Sequence, residues 1–468
     1  MPVVVLLADG VRPDTLAAAI DSGALPALAR LRDEGGLHDV TTVFPSVTGP
    51  AYAPFLMGRF PGPVGLPGLR WFDRERKACS FPDYTRSYVG YQMRAVDRDI
   101  SADAPTIFEL APSSIAALSV ITRGLPVANR IGSITLKSAI RAARTHFSGN
   151  VAGWLDIDRE VADEVVRRVA TERPAYTYAA FTGVDKVSHA RGHAHPMVID
   201  ALRIVDDAAG RIRADAERNG RWRDMHLWIV SDHGHSPVKH HEDLAGLLTV
   251  IGHRVVAHPW VFVPAPQTAV MVSGNAMAHL FLEVRRRGRP WWPAFAPRWE
   301  GLVGMLLARP SVDLVLLPVD LERCEVRSRH GAVGIVSRVA GFYSYFPAVG
   351  DPLGVGRALQ GVTADEAYDA TAGTDYPDSI VQIAHLAASP RSGDVILSAA
   401  RDWDLRARYE PIPHVSSHGA LHREHMTVPL LVNRPVARVP RRTTDVMPSS
   451  LAALGLPIPG SLDGTSFL

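Results

Sequence analysis

The sequence predicts an α/β protein with a doubly wound, mostly parallel central sheet, helices on both faces of that sheet, and an inserted cap-like subdomain. Apolar runs of strand length alternate with segments of helical spacing, which is typical of a mostly parallel sheet. Polar residues follow several of these runs, at the strand ends where such sheets bind ligands. Between residues 240 and 374 the alternation gives way to Arg-rich and Trp-containing sequence, which indicates an insertion.

The predicted elements begin at the N-terminus. Val3 to Ala8 is an aliphatic run that suits a strand buried on both faces, and Asp9-Gly10 marks its end. Residues 45–50 are small residues and prolines, so Thr48 is expected near a strand-to-helix junction. The other predicted elements are helices at 14–32, 51–57 and 196–213, and strands at 40–44, 176–182, 226–231 and 428–432.

This pattern divides the chain into three parts. Residues 1–239 and 375–468 are expected to form one core, and residues 240–374 the inserted cap-like subdomain. Residues 60–105 are rich in Gly, Pro and aromatic residues, and we expect them to form a specificity insertion within the core.

Composition limits the class of partner. The chain has 468 residues and 47% hydrophobic content, which suffices for a large buried core. Lys and Arg number 50 against 48 Asp and Glu, and this near balance argues against dedicated nucleic-acid binding. The expected partner is a small-molecule substrate, and a homo-oligomer stays open.

Cysteine content and hydropathy indicate a location. Cys79 and Cys324 are the only cysteines and lack metal-binding spacing, so no disulfide framework is expected. The apolar run at the N-terminus is too short for a signal peptide, and no stretch of about 18 apolar residues could span a membrane. These features predict a cytoplasmic protein.

Three short motifs carry candidate metal ligands. Asp185 and His189 are four residues apart, so one helical turn would bring them together, although a surface helix pair has the same spacing. Asp232-His233-Gly234 ends an apolar strand, and a polar turn with Asp232 as a helix cap is the alternative. His418-Gly419 precedes the last predicted strand, where a lone histidine is usually a loop residue.

Together with Asp9 and Thr48, these motifs supply enough nitrogen and oxygen ligands for two divalent ions. Two ions about 4 Å apart favour phosphoryl chemistry, because they activate a hydroxyl group and neutralise the leaving oxygen. Zinc suits this mixture of imidazole and carboxylate best, and manganese is the alternative.

The order of the motifs resembles a known family. The chain is similar to the nucleotide pyrophosphatase/phosphodiesterase (type I phosphodiesterase) branch of the alkaline phosphatase superfamily in the series Asp9-Gly10, Phe44-Pro45-Ser46-Val47-Thr48, Asp185 to His189, Asp232-His233-Gly234 and His418-Gly419. The resemblance covers about residues 1–60, 175–240 and 375–435. It implies that the core binds metal and is catalytic.

The resemblance also implies roles for single residues. One ion is held by Asp9, Thr48, Asp232 and His233, and the other by Asp185, His189 and His418. Thr48 is the implied nucleophile of a phosphodiesterase, which forms a phosphothreonine that water hydrolyses. A helix cap is the alternative role of Thr48.

One departure from the family concerns an asparagine that donates to a phosphoryl oxygen after the nucleophile. Ala51 stands at the first such position, and residues 65–70 contain no asparagine. The Gly49 N–H or the Tyr52 hydroxyl could replace this donor. The departure leaves a phosphomonoesterase or phosphonate hydrolase as the alternative to a phosphodiesterase.

Aromatic residues of the 60–105 insertion are candidates for substrate contact. Trp71 and Tyr88 are expected to form a wall for a ring or a choline-like group, with packing as the alternative. His235, His240 and His241 are expected on the rim of the site or as partners of ligands, since both ions are satisfied without them.

Other enzyme classes fit the sequence less well. A phosphomutase of the same superfamily would use serine at the position of Thr48, and a sulfatase would carry a C/S-x-P-x-R signature that residues 45–49 lack. A non-catalytic binding protein would have lost at least one ligand position to an apolar residue, and none is lost.

Overall fold

The computed structural model describes residues 1–78, 84–132, 136–406, 412 and 414–468. Cys79 lies outside the described residues, and Cys324 is buried with a free thiol. In the part of the chain that is described, no helix is long and apolar enough to cross a membrane.

The strands of the described residues fall into four sheets. Those of the first half of the chain are β1 (Val3–Ala8), β2 (Gly36–Thr41), β3 (Arg70–Phe72), β4 (Thr85–Ser87), β5 (Ser114–Ala117), β6 (Arg130–Ile131), β7 (Tyr176–Phe181) and β8 (His226–Val230). Those of the second half are β9 (Ser236–His241), β10 (Val255–Ala257), β11 (Thr268–Ser273), β12 (Met277–Leu282), β13 (Val312–Pro318), β14 (Arg323–Ser328), β15 (Val333–Val339), β16 (Phe342–Val349), β17 (Leu359–Val362), β18 (Val395–Ala399), β19 (Asp402–Asp404), β20 (Ser416–Ser417) and β21 (Thr427–Val432).

The α helices are α1 (Pro13–Asp21), α2 (Pro26–Glu34), α3 (Ala53–Met57), α4 (Val96–Asp99), α5 (Ile107–Leu110), α6 (Leu136–Phe147), α7 (Val151–Glu172), α8 (Gly183–Arg191), α9 (Pro196–Arg218), α10 (Leu244–Val250), α11 (Trp292–Leu307), α12 (Ala364–Thr371), α13 (Ser379–Ala388), α14 (Arg423–Met426) and α15 (Val446–Leu454). The single helix predicted at 14–32 is two helices, because Gly23 takes a left-handed φ of 77° and Pro26 starts a new helix.

The first sheet confirms the predicted mostly parallel architecture. Its strand order is β2-β21-β8-β1-β7-β5-β6. β1 pairs in parallel with both β7 and β8, and β5 pairs in parallel with β7 and β6. β21 runs antiparallel to both of its neighbours, β8 and β2. β21 is thus the reversed strand of this sheet, and its amino end lies at the edge where the parallel strands have their carboxyl ends.

Helices cover both faces of this sheet, as predicted for a doubly wound fold. Alternate residues of β1 belong to two different hydrophobic clusters: Val3, Val5 and Leu7 point to one face, and Val4, Leu6 and Ala8 to the other. Helices α3, α5 and α15 contribute to the first cluster, while α1, α2, α7, α8 and α9 contribute to the second. This double burial explains why the β1 sequence is a continuous apolar run.

A second sheet of nine strands has the order β10-β11-β12-β18-β13-β14-β15-β16-β17 and is antiparallel except for β10 and β11. Eight of its strands come from the predicted insertion at 240–374, but β18 comes from beyond residue 374. Helix α13 packs on one face, and α10 and α11 pack on the other. The predicted domain boundaries stay a prediction, and the sheet itself reaches past the second of them.

Candidate active site

The strand directions bring the predicted site residues to one edge of the first sheet. Asp9 directly follows β1, Asp232 follows β8, and Asp185 lies in the first turn of α8, which follows β7. These three strands are parallel, so their carboxyl ends meet. His418 reaches the same edge from the opposite direction, because it precedes the reversed strand β21.

The segment before Thr48 is held in place by hydrogen bonds to distant parts of the chain. The Gln382 amide on α13 accepts from the Phe44 N–H at 2.8 Å and donates to the Thr42 carbonyl at 3.0 Å. The Ser46 hydroxyl donates to the Ala420 carbonyl at 3.0 Å. These bonds take residues 42–44 out of the strand, which explains why β2 ends at Thr41 and not at the predicted Phe44.

Thr48 is the partly exposed residue of a buried segment, since residues 40–47 and 49–57 are buried around it. Its Oγ1 lies 3.3 Å from Asp9 Oδ1 and 3.2 Å from His233 Nε2. Thr48 is therefore a partly exposed residue whose hydroxyl group contacts two of the predicted ligands.

The first predicted ligand group comes together around Asp9. His233 Nε2 lies 3.2 Å from Asp9 Oδ1 and 3.7 Å from Asp232 Oδ2, and all three side chains are buried. The Gly10 N–H donates to Asp232 Oδ1 at 3.2 Å. Burial raises the pKa of Asp232 to about 8, and the charge of Asp9 adds to this rise. Asp9, Asp232 and His233 can offer ligand atoms to one ion.

The second predicted ligand group surrounds Asp185. His189 Nε2 lies 3.1 Å from Asp185 Oδ1, and His418 Nε2 lies 3.6 Å from the same oxygen. Lys186 Nζ donates to the other oxygen, Oδ2, at 2.7 Å. Burial alone would raise the pKa of Asp185, but the charge of Lys186, the largest of the opposing effects, helps to bring the pKa well below its usual range.

His235 lies in the interior of the site and not on its rim. Its side chain is fully buried, and its Nε2 lies 3.1 Å from Asp185 Oδ1. Burial lowers the pKa of His235 to about 3, so the imidazole is neutral at neutral pH. The sequence carried a signal for this position, because residues two apart on an extended segment point to the same side, as His233 and His235 do. His240 and His241 lie further along β9 and are exposed.

Helix α8, which carries Asp185 and His189, is anchored by a residue that the sequence did not reveal. Asp158 on α7 accepts from the Thr182 N–H at 3.1 Å and from the Gly183 N–H at 2.6 Å. These amides belong to the start of α8 and have no partner within that helix. Asp158 therefore fixes the helix end from a neighbouring element, a role that depends on tertiary contact and not on local spacing.

The second sheet reaches the site at the turn between β11 and β12. The Ala276 N–H donates to the His418 carbonyl at 3.0 Å, and the Ser417 hydroxyl donates to the Gly274 carbonyl at 2.9 Å. Asn275 forms a hydrogen bond with His414. The insertion thus fixes the backbone of a predicted metal ligand.

Three of the four predicted substrate-binding residues, Tyr52, Trp71 and Tyr88, belong to the hydrophobic core. Trp71 is 0% exposed, and Tyr88 is 2% exposed with its hydroxyl 3.2 Å from Asp99 Oδ2. Their apolar surface is consumed by packing, so the expectation that they form a wall for substrate is wrong and the packing alternative holds.

Gly49 and Tyr52 lie beside Thr48 but in different surroundings. Tyr52 is fully buried and packs edge-on against Tyr178, with ring centroids 5.6 Å apart. A Cβ atom on Gly49 would meet nothing nearer than Leu69 at 3.8 Å, so the space in front of this backbone is open. Among the described residues, the Gly49 N–H has no hydrogen-bond acceptor.

The residues at this edge fit two divalent cations. Asp9, Asp185 and Asp232 are buried carboxylates, and Asp232 Oδ2 has no hydrogen-bond partner in the described part of the chain. A buried charge of this kind is costly unless a cation offsets it. Carboxylate and imidazole together are the donors that zinc and related ions bind.

Structural comparison finds similar folds in several enzymes. Phosphonoacetate hydrolase from Sinorhizobium meliloti 1021, in complex with phosphonoformate, aligns with a TM-score of 0.58 and 17% identity over 97% of this chain and 96% of that chain. Human ectonucleotide pyrophosphatase/phosphodiesterase 5 aligns with a TM-score of 0.58 and 14% identity over 99% of this chain and 97% of that chain. The murine protein, as an inactive variant in complex with AMP, has a TM-score of 0.56 and 14% identity over 98% and 96% of the two chains.

Sequence comparison supplies the family. No curated protein matches the chain. The profile described as type I phosphodiesterase/nucleotide pyrophosphatase matches residues 3–287, which include all the predicted ligands except His418. The chain therefore belongs to the type I phosphodiesterase/nucleotide pyrophosphatase family of the alkaline phosphatase superfamily and is a metal-dependent hydrolase.

Proposed function

We propose that the protein is a phosphodiesterase that binds two zinc ions and uses Thr48 as its nucleophile. One observation carries the proposal: the partly exposed Thr48 hydroxyl lies 3.3 Å from Asp9 Oδ1 and 3.2 Å from His233 Nε2, at the edge where the buried carboxylates converge. A helix-capping role has no support, because the Thr48 side chain caps no helix among the described residues.

The two proposed ions would be held by two sets of side chains. Asp9, Thr48, Asp232 and His233 would hold one, and Asp185, His189 and His418 the other. When bound, such ions polarise phosphoryl oxygens and favour ionisation of a nearby hydroxyl group. Zinc suits this donor set, and manganese is the alternative.

The chemistry of the chain follows in two half-reactions. In the first, the Thr48 oxygen bonds to phosphorus, the bond to the leaving oxygen breaks, and the proton from Thr48 ends on the released alcohol. In the second, water attacks the phosphothreonine, Thr48 regains a proton, and a phosphate monoester is released. The open space before Gly49, whose N–H has no acceptor among the described residues, supports a role for this amide as donor to a phosphoryl oxygen.

The chain lacks the asparagine that donates to a phosphoryl oxygen in the family. The alternative to a phosphodiesterase is therefore a phosphomonoesterase or phosphonate hydrolase. The fold neighbours were solved with AMP and with phosphonoformate, so both a phosphate monoester and a phosphonate bind to proteins of this fold. Rates on bis-p-nitrophenyl phosphate, p-nitrophenyl phosphate and phosphonoacetate separate these classes. A higher kcat/KM on the diester supports the proposal, and a higher value on either other substrate contradicts it.

The nucleophile has its own test. We expect Thr48→Ala to lower kcat by at least about 10³-fold with little change in zinc content, because the other ligands remain. Thr48→Ser should retain part of the activity. Acid quenching during turnover should trap phosphate on the peptide that contains Thr48. A Thr48→Ala variant with more than a tenth of the wild-type rate would contradict the assignment.

The setting of this activity is also a proposal. We propose a cytoplasmic enzyme that acts on a small molecule. The content of only two cysteines favours a reducing compartment. The near-neutral charge of +2 argues against dedicated nucleic-acid binding. Fractionation of cells that express the tagged chain tests the location.

A further inference from the structure

We infer that His235 is a fourth protein ligand of the ion assigned to Asp185, His189 and His418. The inference rests on the proposed function, because it concerns one of the two ions which that function requires. The family resemblance assigns no metal to His235. The contacts of its imidazole ring are the basis for assigning one.

The ligand atoms of Asp185, His235 and His418 lie within 4.8 Å of one another, and His189 approaches the same carboxylate. Three imidazole nitrogens face the single oxygen Asp185 Oδ1: Nε2 of His189 at 3.1 Å, Nε2 of His235 at 3.1 Å and Nε2 of His418 at 3.6 Å. Two ligands of a tetrahedral zinc ion with bonds of about 2.0–2.1 Å are roughly 3.3–3.4 Å apart. His235 satisfies this spacing as well as the two histidines predicted from sequence.

The hydrogen bonds of the three rings leave their Nε2 atoms free to bind a cation. His189 Nδ1 lies 2.8 Å from the Ser416 carbonyl, and His418 Nδ1 lies 2.9 Å from the Ser46 carbonyl. A carbonyl only accepts, so both Nδ1 atoms carry the proton. A ring that carries its one proton on Nδ1 presents an Nε2 lone pair to the carboxylate, as in histidines whose other nitrogen is oriented for metal binding.

His235 has the same arrangement with a hydroxyl group in place of a carbonyl. Its Nδ1 lies 3.3 Å from Ser416 Oγ, and that hydroxyl donates its own proton to the Ser236 carbonyl at 2.9 Å. Ser416 Oγ must therefore accept from His235 Nδ1. The Nε2 lone pair of His235 then faces Asp185 Oδ1 with no proton between them. A cation placed between these two acceptor atoms would bind both and remove their repulsion.

The backbone makes room for this ring. A Cβ atom on Gly10 would lie 2.8 Å from His235 Nε2 and 3.2 Å from His233 Cε1. Gly10 also has a left-handed φ of 79°. The glycine after Asp9 is thus what lets both imidazoles approach the site.

A fourth protein ligand would give this ion as many protein ligands as the ion assigned to Asp9, Thr48, Asp232 and His233. Zinc can expand to five ligands in the transition state, so such a centre can still take a phosphoryl oxygen. We expect His235 to contribute directly to how tightly the ion at Asp185 is held.

The test is metal binding to the whole protein. Metal-free wild type, His235→Gln, Ser416→Ala and the control His240→Gln are titrated with Zn²⁺ against a chelator, and visible absorption spectra are recorded with Co²⁺. Glutamine keeps an N–H donor for Asp185, so it preserves a hydrogen-bonding role but not an imidazole ligand. His240 is exposed on the same strand segment.

We expect His235→Gln to weaken one of the two zinc sites by at least about 100-fold, beyond the roughly 10–100-fold typical of an outer partner, and to change the Co²⁺ spectrum. Ser416→Ala should weaken the same site less, and His240→Gln should match wild type. Unchanged Co²⁺ absorption in His235→Gln would overturn the inference, whatever the affinity. A wild-type protein that binds neither metal would overturn the proposed function itself.

Discussion

At the scale of single residues, Asp185 has the most demanding position in the site. One of its oxygens faces the imidazole nitrogens of His189, His235 and His418, and the other accepts from Lys186 at 2.7 Å. The two oxygens therefore have different surroundings, since Oδ1 faces the histidines of the proposed metal centre and Oδ2 pairs with the Lys186 ammonium group. This arrangement predicts that metal binding at this centre is lost when Asp185 is replaced by a residue that can contact only the histidines or only Lys186.

We expect Asp185→Ala to lose mainly one of two bound ions and to retain the other, because Asp9, Asp232 and His233 remain. Elemental analysis of dialysed protein measures the two stoichiometries. Asp200, an exposed acid paired with Arg203 on α9, supplies the control, and Asp200→Ala should keep both ions. Loss of both ions in Asp185→Ala, with the fold intact by circular dichroism, would contradict separate centres.

Gly10 gives a second prediction at this scale. Gly10→Ala places a methyl group 2.8 Å from His235 Nε2 and requires a left-handed conformation that costs about 1–3 kcal/mol in non-glycine residues. We expect weaker binding of both ions together with reduced stability, measured by zinc titration and by urea unfolding. Gly23→Ala is the matched control, since φ there is 77° but no atom lies within 4 Å of the added carbon. Equal metal affinities in the two variants would argue against a steric role for Gly10.

At the scale of elements, α8 depends on α7 for its N-terminal hydrogen bonds. Asp158 accepts from the N–H groups of Thr182 and Gly183. Burial raises the pKa of Asp158 to about 7, although these two hydrogen bonds lower it in part. The folded pKa lies above the unfolded value near 3.8, so the folded state binds the proton more tightly. The contribution of Asp158 to stability is therefore full below about pH 4 and falls as the pH rises through about 7.

Asp158→Asn tests this element. Asparagine accepts only one of the two N–H groups well, so the variant should be less stable than wild type by about 1–3 kcal/mol at pH 5, and this deficit should shrink between pH 5 and pH 8. Thermal unfolding at both pH values measures it. Asp156→Asn, on an exposed position of the same helix, should show no such trend. A deficit that grows with pH would contradict the direction of the pKa shift.

Much of this organisation was accessible from sequence, and the exceptions have a common cause. β1, β7, β8 and β21 were predicted within a residue or so, because strands buried on both faces leave continuous apolar runs. The convergence of Asp9, Thr48, Asp185 and His418 followed from motif order. The structure adds Asp158, Gln382 and the interior place of His235, all of which act through contacts between residues far apart in the chain. The prediction of substrate contact for Trp71 and Tyr88 failed for a different reason. An aromatic residue in an irregular segment looks the same in the sequence whether it packs in the core or contacts a substrate.

At the scale of the whole molecule, a buried chain of polar contacts links the C-terminal segment to the segment that carries Thr48, the proposed nucleophile. Arg442 forms two hydrogen bonds of 2.8 Å with Asp378, and Asp378 accepts from the Gln382 amide at 2.8 Å. Gln382 in turn holds the backbone of Thr42 and Phe44, which lead to Thr48. We therefore expect the position of Thr48 to depend on Arg442, almost 400 positions away in the chain.

We expect Arg442→Met to lower the free energy of unfolding by about 3–5 kcal/mol, because it leaves the buried Asp378 carboxylate unpaired. It should also lower kcat through the displaced Thr48 segment. The neighbouring Arg441 pairs with Asp365 and Asp369 at the surface, so Arg441→Met should cost no more than about 1 kcal/mol. Urea unfolding compares the two. Similar losses in both variants would show that burial of the pair does not matter.

The position of β21 between β2 and β8 has a consequence for the timing of activity during synthesis. Among the described strands, β2 pairs only with β21, and roughly 390 residues separate these two strands in the chain. A ribosome that adds about 5–20 residues per second needs roughly 20–80 s to make that length. For this interval the nascent polypeptide carries Thr48 on a segment without a neighbour in the sheet, and His418 has yet to be translated. We expect ribosome-bound and prematurely terminated chains to have no hydrolase activity, so that only full-length chains are active in the cell.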